Sequence, residues 1–186
     1  MQSTAESRRT VRSLLMVLRI VMFAALIALS AKLTINLPGT PVPITLQPFM
    51  ILLAGLSLGS REGALSVLTY LGAIAVGLPL DARGLGPAAF VGPTGGYLIG
   101  FVAGAFVAGF GRDRRFPAAF GCALLGVLAV YVFGFLGLVG YSGNAERAIM
   151  QGILPFILGD FGKAMLAAAL VMLGRESRAR WFTPLA

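Results

Sequence analysis

Ile153-Leu-Pro-Phe-Ile-Leu-Gly-Asp160-Phe-Gly-Lys163-Ala-Met-Leu-Ala-Ala-Ala-Leu-Val-Met-Leu173 is the stretch on which the reading of this chain turns. Taken with the residues just before it, Ile149–Leu173 is an apolar run long enough to cross a bilayer, with one acid and one base near its middle. Asp160 and Lys163 are three apart, so on a helix they project from one face. A charge at the centre of a spanning helix costs roughly 2.5–3.5 kcal/mol on insertion scales. A chain that keeps two there has paired them with each other or turned them toward a polar cavity. A bare ion pair that only fixes helix contacts is one reading. Intramembrane ionisable residues more often mark a substrate or ion site, and that reading is preferred.

The rest of the composition agrees with a membrane setting. The chain has 186 residues, 58% hydrophobic and 12% charged, against about 25% charged in soluble domains. Mean hydropathy is +0.89. Length suits one compact domain. The net charge of +8 comes from basic residues scattered between apolar runs, where the positive-inside rule accounts for them. The expected surroundings are therefore a lipid bilayer, and no nucleic acid. There is no histidine and a single cysteine, Cys122. An internal disulfide is excluded, the usual general base and zinc ligand are missing, and neither metal nor cofactor is expected.

Six spans are predicted: Ser13–Ala31, Ile44–Leu58, Ala64–Leu78, Thr94–Phe110, Pro117–Leu138 and Ile149–Leu173. They make one all-α integral membrane domain over residues 13–174, between a polar segment 1–12 and a charged tail 175–186. Arg19, inside the first span, is expected to snorkel to the surface. Ala24 and Ala28 form a small-xxx-small pair that permits close helix contact. Pro38, Pro41 and Pro43 make 32–43 irregular; residues 80–92, with Asp81 and Arg83, form a second such loop. Gly100, Gly104 and Ala108 make a contact stripe on the fourth span. Gly95 and Gly96 are expected to leave backbone N–H groups open to a ligand at its start. Residues 141–147 are a polar connection, and Pro155 is expected to kink the last span.

Six spans put both termini on one side. That side carries Arg8, Arg9, Arg12, Arg61, Arg112, Arg114, Arg115, Arg175, Arg178 and Arg180; the other carries Lys32, Arg83 and Arg147. Both termini are therefore expected in the cytoplasm. The two Pro/Gly-rich loops then lie outside, above a pocket that reaches Asp160 and Lys163.

Enzymatic readings find little support. Gly162-Lys163 lacks the spacing and hydroxyl of a phosphate-binding loop. Without histidine there is no zinc protease motif and no Ser-His or Cys-His arrangement. A serine/lysine dyad on Lys163 is formally open, but Ser57 and Ser66 sit near the opposite ends of their spans. A structural subunit with a buried ion pair remains the bland alternative.

Val42-Pro-Ile-Thr-Leu-Gln47, Gly72-Ala-Ile-Ala-Val-Gly-Leu-Pro79, Gly92-Pro-Thr-Gly-Gly-Tyr97 with Gly100-Phe101, and Asp160-x-x-Lys163 together resemble the BioY family. These are the biotin-binding S components of energy-coupling factor transporters. The resemblance runs from the first span to the sixth. It implies a six-helix S-component fold in the cytoplasmic membrane of a prokaryote and high-affinity capture of biotin from outside. It also implies association with a transmembrane coupling subunit and two ATPase subunits, with a solitary biotin carrier as the alternative. It assigns ligand contacts to Asp160 and Lys163, and a coupling-subunit contact to the Ala24/Ala28 stripe. Ligand chemistry adds candidates. Asp160 accepts from a ureido N–H, Lys163 donates to an oxygen of the ureido or the carboxylate, and Arg83 suits the carboxylate. Thr45, Gln47 and Tyr97 are candidates for the rim, where helix capping and interfacial anchoring are competing explanations.

Overall fold

A computed structural model describes residues 2–182, with side chains from Arg9 to Glu176. The side chains of Arg8, Arg178 and Arg180, which entered the orientation argument, lie outside the described residues, as do Met1 and residues 183–186. The elements are α1 (Gln2–Lys32), β1 (Thr34–Ile35), β2 (Ile44–Thr45), α2 (Gln47–Leu58), α3 (Ser60–Ala75), α4 (Gly95–Ala108), α5 (Phe116–Ser142), α6 (Ala145–Gly152) and α7 (Ile157–Phe182). Short 3-10 turns occupy Gly86–Phe90 and Gly109–Gly111.

Helix α1 begins at Gln2, so the polar segment expected to stand apart forms its first turns. Likewise α7 continues past Gly174 to Phe182, without a break before the charged tail. The loop after α1 is not wholly irregular. Its ends pair antiparallel, Thr34 with Thr45 and Ile35 with Ile44, which makes it a hairpin-like strap.

Helix α2 sits at the centre and contacts α1, α3, α4, α5 and α7. Its 12 residues are short for a full crossing, but Phe49, Ile51, Leu52, Ala54, Leu56 and Leu58 are all buried. A helix apolar on all sides belongs inside a bundle. Pro48 begins it, a position where the missing N–H is no loss, and Gly59 (φ 89) ends it. Helix α3 starts at the next residue. Across this turn the Arg112 guanidinium donates to Leu58 O at 2.8 Å. Arg19 does not simply reach for water: its Nε donates to Leu15 O, and its guanidinium lies 3.6 Å from Glu62 at the start of α3.

Helices α4 and α5 form the tightest pair. A Cβ on Gly96 would lie 2.3 Å from Phe133 O and 2.8 Å from the Gly137 Cα; one on Gly104 would lie 3.0 Å from Gly126 O. The stripe Gly100, Gly104, Ala108 does serve helix contact, and it extends upward to Gly96. Small residues of this kind let membrane helices approach backbone to backbone.

The last predicted span is two helices. Helix α5 ends at Gly143 (φ 67, left-handed), and Asn144 caps α6 by accepting from Arg147 N at 2.9 Å. After Gly152 the chain turns through Ile153–Phe156, where the N–H groups of Ile153 and Leu154 both bond to Ile149 O. The Tyr97 hydroxyl donates to Gly152 O at 2.7 Å, and the Thr40 hydroxyl to Gln151 O at 2.6 Å. These partners satisfy carbonyls at the α6 terminus that would otherwise be orphaned. Pro155 therefore lies in a clean break, not a kink. In consequence Asp160 stands in the first turn of α7 rather than at mid-span.

Helices α1 (from Arg9), α5 and α7 (Ile157–Glu176) are long and apolar enough to cross a membrane; α2 and Gly95–Gly111 are shorter apolar stretches. Leu14, Leu18, Leu128, Leu136, Leu158 and Leu166 are exposed around the bundle. An outer surface of this kind belongs in lipid, where helices satisfy their own backbone groups.

Candidate functional site

A cavity opens where α2, α4 and α7 begin, beside the middle of α5 and beneath the loops 33–43 and 76–94. Asp160, Lys163, Thr45, Gln47, Tyr97 and Arg83 all line it. Six residues spread over 119 positions of sequence are thus brought to one wall-and-roof arrangement.

The floor is charged. Lys163 Nζ lies 2.8 Å from Asp160 Oδ1, with 15% of the lysine side chain and 5% of the aspartate exposed. Asp160 Oδ2 accepts from the Tyr131 hydroxyl at 2.8 Å. The carboxylate is thus held from its own helix and from α5. Hydrogen bonds to an ionised partner are about twice as strong as neutral ones. Phe101, Val130 and Phe156 give the cavity apolar sides.

The roof is stitched from two loops. Arg83 is exposed at the mouth, and its guanidinium donates to Pro41 O. Lys32, at the end of α1, donates to Pro79 O (2.7 Å) and Asp81 O (2.9 Å). Asp81 is 4% exposed and organises its own loop, accepting from Gly86 N at 2.8 Å and Arg83 N at 3.0 Å. The enclosed space is about 50 Å³.

The other rim residues divide. Thr45 Oγ1 accepts from Gln47 N at 3.2 Å, a local turn bond just ahead of α2, whose N-cap is Leu46. Gln47 is buried and spends its amide nitrogen on the Tyr70 hydroxyl at 2.9 Å. Tyr97 presents its ring to the cavity, but its hydroxyl is committed to Gly152 O. Gly134 makes room for that ring: a Cβ there would lie 2.3 Å from Tyr97 Cε1.

One expectation changes. The paired glycines Gly95 and Gly96 do not open backbone to a ligand; a Cβ at Gly95 would meet Phe90 O at 2.0 Å, and Gly96 abuts α5. Close approach of chain to chain requires them. The two residues of the Ala24/Ala28 stripe differ in exposure. Ala24 is 7% exposed within the core, and Ala28 packs against that core, because α1 lies on α2 and α3.

Tyr131, Phe101, Phe156 and Asp81 were missed by sequence reasoning. A tyrosine within an apolar run is a usable signal, since a buried phenol needs a partner. Asp81 carried one too, as an acid two residues before Arg83 and three before a glycine, the chemistry of an Asx turn. Among the described residues no group of three His, Cys, Asp or Glu stands together to hold a metal.

The BioY family model matches residues 2–180 of this chain. The chain is 38% identical over 152 residues to a probable biotin transporter BioY of Pyrococcus horikoshii, covering 81% of this chain and 90% of that protein. To the biotin transporter BioY of Thermotoga maritima it is 40% identical over 155 residues, covering 81% and 89%. To that of Rhodobacter capsulatus it is 42% identical over 164 residues, covering 78% and 85%. A crystal structure of the S-component for biotin from an ECF-type ABC transporter superposes with a TM-score of 0.81 at 30% identity, covering 89% of this chain and 93% of that one. A family model spanning nearly every residue, relatives named as transporters rather than enzymes, and a shared helical fold agree: this multi-pass membrane protein belongs to the BioY family.

Proposed function

We propose that this protein captures biotin at the outer face of a prokaryotic cytoplasmic membrane, as the substrate-binding subunit of an energy-coupling factor transporter. The observation that carries the reading is the cavity itself: a charged, hydrogen-bonded floor, apolar sides and a cationic mouth. Biotin has the matching order of groups, with a ureido ring at one end, an apolar bicycle between, and a carboxylate on a flexible tail. In this reading Asp160 accepts a ureido N–H and Lys163, 2.8 Å from it, donates to the ureido oxygen. Phe101, Val130 and Phe156 cover the bicycle, and Arg83 exchanges Pro41 O for the carboxylate. Thr45, Gln47 and Tyr97 shape the rim. A cavity of about 50 Å³ is far below the roughly 300–1,000 Å³ of ordinary ligand pockets, so binding includes an opening of the two loops.

The resemblance supports a coupling subunit and two ATPases as partners, and both termini in the cytoplasm. With α1 laid on α2 and α3, a contact through Ala24 and Ala28 needs α1 to part from them; partners would otherwise meet the exposed side of α1. A solitary carrier remains the alternative. Co-purification of the tagged protein with ATPase subunits supports the coupled mode, and biotin uptake in cells lacking every such ATPase overturns it.

Equilibrium binding of biotin to the purified protein tests the site. We expect one biotin per protein. In folded Asp160→Asn and Lys163→Ala variants the affinity should fall by about 10–100-fold, as for loss of a hydrogen bond to a charged group. A folded wild type that does not bind biotin refutes the assignment.

A further inference from the structure

Tyr131 lies in the interior of α5, between the exposed Leu128 and the exposed Val132 and Phe133. Leu128 and Val132 are on the exposed side of the bundle, Val130 lines the cavity, and the Tyr131 hydroxyl turns inward to Asp160 Oδ2. The Asp160–Lys163 pair cannot orient the carboxylate by itself, because both residues ride on α7 and move with it. Tyr131 comes from another helix and ties that carboxylate to the opposite wall of the cavity. With Lys163 on Oδ1 and Tyr131 on Oδ2, each oxygen has one protein donor at 2.8 Å. An ionised carboxylate accepts about four hydrogen bonds, so each oxygen keeps capacity for a ligand.

The position of Asp160 is fixed from further directions. Tyr97 and Thr40 hold the carbonyls of Gly152 and Gln151 just before the break, and Asp160 N donates to Phe156 O, at the end of the break, at 2.8 Å. The backbone is thereby pinned; the side chain is pinned by Tyr131. We propose that Tyr131 is a positioning residue that fixes the Asp160 carboxylate toward the cavity and so sets selectivity for a ligand carrying N–H donors at that end. This rests on the biotin reading above.

The test compares ligands altered at opposite ends. Dissociation constants are measured for biotin, biotin methylated on a ureido nitrogen, and biotin methyl ester, on wild type and Tyr131→Phe, each checked for folding by size exclusion and melting. In the wild type, biotin should bind more tightly than the N-methyl analogue. In Tyr131→Phe that ratio should shrink by about ten-fold, the effect of one hydrogen bond to a charged group, while the ratio of biotin to its methyl ester stays unchanged. A general loosening of the pocket would weaken all three ligands and leave the first ratio intact, which overturns the inference. If Tyr131→Phe does not fold, Tyr131→Met replaces it, keeping bulk without a donor. Should neither fold, the hydroxyl is a folding element and the inference falls. A wild type that binds no biotin removes the proposed function and this inference together; binding with unchanged ratios removes the inference alone.

Discussion

Lys163 and Asp160 make one ion pair to which the proposed function gives a binding role beside a stabilising one, and the two roles should separate under substitution. Removing one partner of a buried pair leaves a stranded charge and typically costs about 3–5 kcal/mol, whereas replacing both can be neutral. Here the Tyr131 hydroxyl eases part of that strain. We expect Lys163→Ala to lower the melting temperature and to weaken biotin binding by about 10–100-fold. The double variant Asp160→Asn/Lys163→Met should regain most of the stability but not the affinity. A double variant as unstable as the single one would show that the pair acts mainly through the rest of the bundle. Arg83 is a separate case, since it is exposed and its contact is with a loop carbonyl. Arg83→Ala should weaken biotin by about ten-fold, leave biotin methyl ester unchanged and leave melting untouched, because surface charges contribute little to stability.

At the scale of elements, the α4–α5 contact is the one most intolerant of added volume. Gly137 lies where a Cβ would be 2.6 Å from Gly96 Cα, whereas Gly140, one turn away on the same helix, has nothing within 4 Å. Gly137→Ala should therefore destabilise by about 1–3 kcal/mol, as overpacking does, with Gly140→Ala near neutral or better; equal melting of the two would refute the tight crossing. Ala24 and Ala25 give a matched test on α1, since Ala24 is buried and Ala25 exposed. Ala24→Leu should lower stability of the isolated protein, and Ala25→Leu should not. If Ala24→Leu instead leaves melting unchanged and abolishes co-purification of partners, the stripe is a partner contact.

Elements were legible in the sequence to different depths. The spacing of Asp160 and Lys163 foretold their shared face, because a three-residue offset means the same thing in any helix. The glycine stripe of α4 was legible for the same reason. The break at Ile153–Phe156 was not, since the apolar run continues across it and only Pro155 interrupts it. What fixes that turn is long-range: hydroxyls from Tyr97 and Thr40 accepted by carbonyls about 55 and 111 positions away. Gly95 and Gly96 were misread because a glycine pair looks the same whether it admits a ligand or a neighbouring helix. Tyr131 was overlooked because a single phenol in an apolar run resembles ordinary core filler until its partner is known.

For the whole molecule the question is orientation. The two stitched loops and the cavity lie at one end, and the Gly59 turn with the 109–115 turn at the other. In the proposed topology, which follows the positive-inside rule, the second end is cytoplasmic. In a Cys122→Ala background, Leu85→Cys should react with a membrane-impermeant thiol reagent in intact cells, and Arg114→Cys only after permeabilisation. The reverse pattern would invert the proposed topology and with it the direction of capture.

The break before α7 also bears on how the chain could change over time. Had Asp160 and Lys163 stood at mid-span, each would have taxed insertion of the helix, and any rearrangement of charge would have threatened membrane integration. In the first two turns of α7, near the rim of the apolar segment, they weigh far less on the insertion machinery, because polar groups near a helix end reach the interface. The charged floor of the cavity and most of the membrane-crossing length are therefore carried by different parts of one helix. Such a scaffold is free to exchange its floor residues, by drift or by design, and to acquire a new small-molecule specificity while still threading into the bilayer as before.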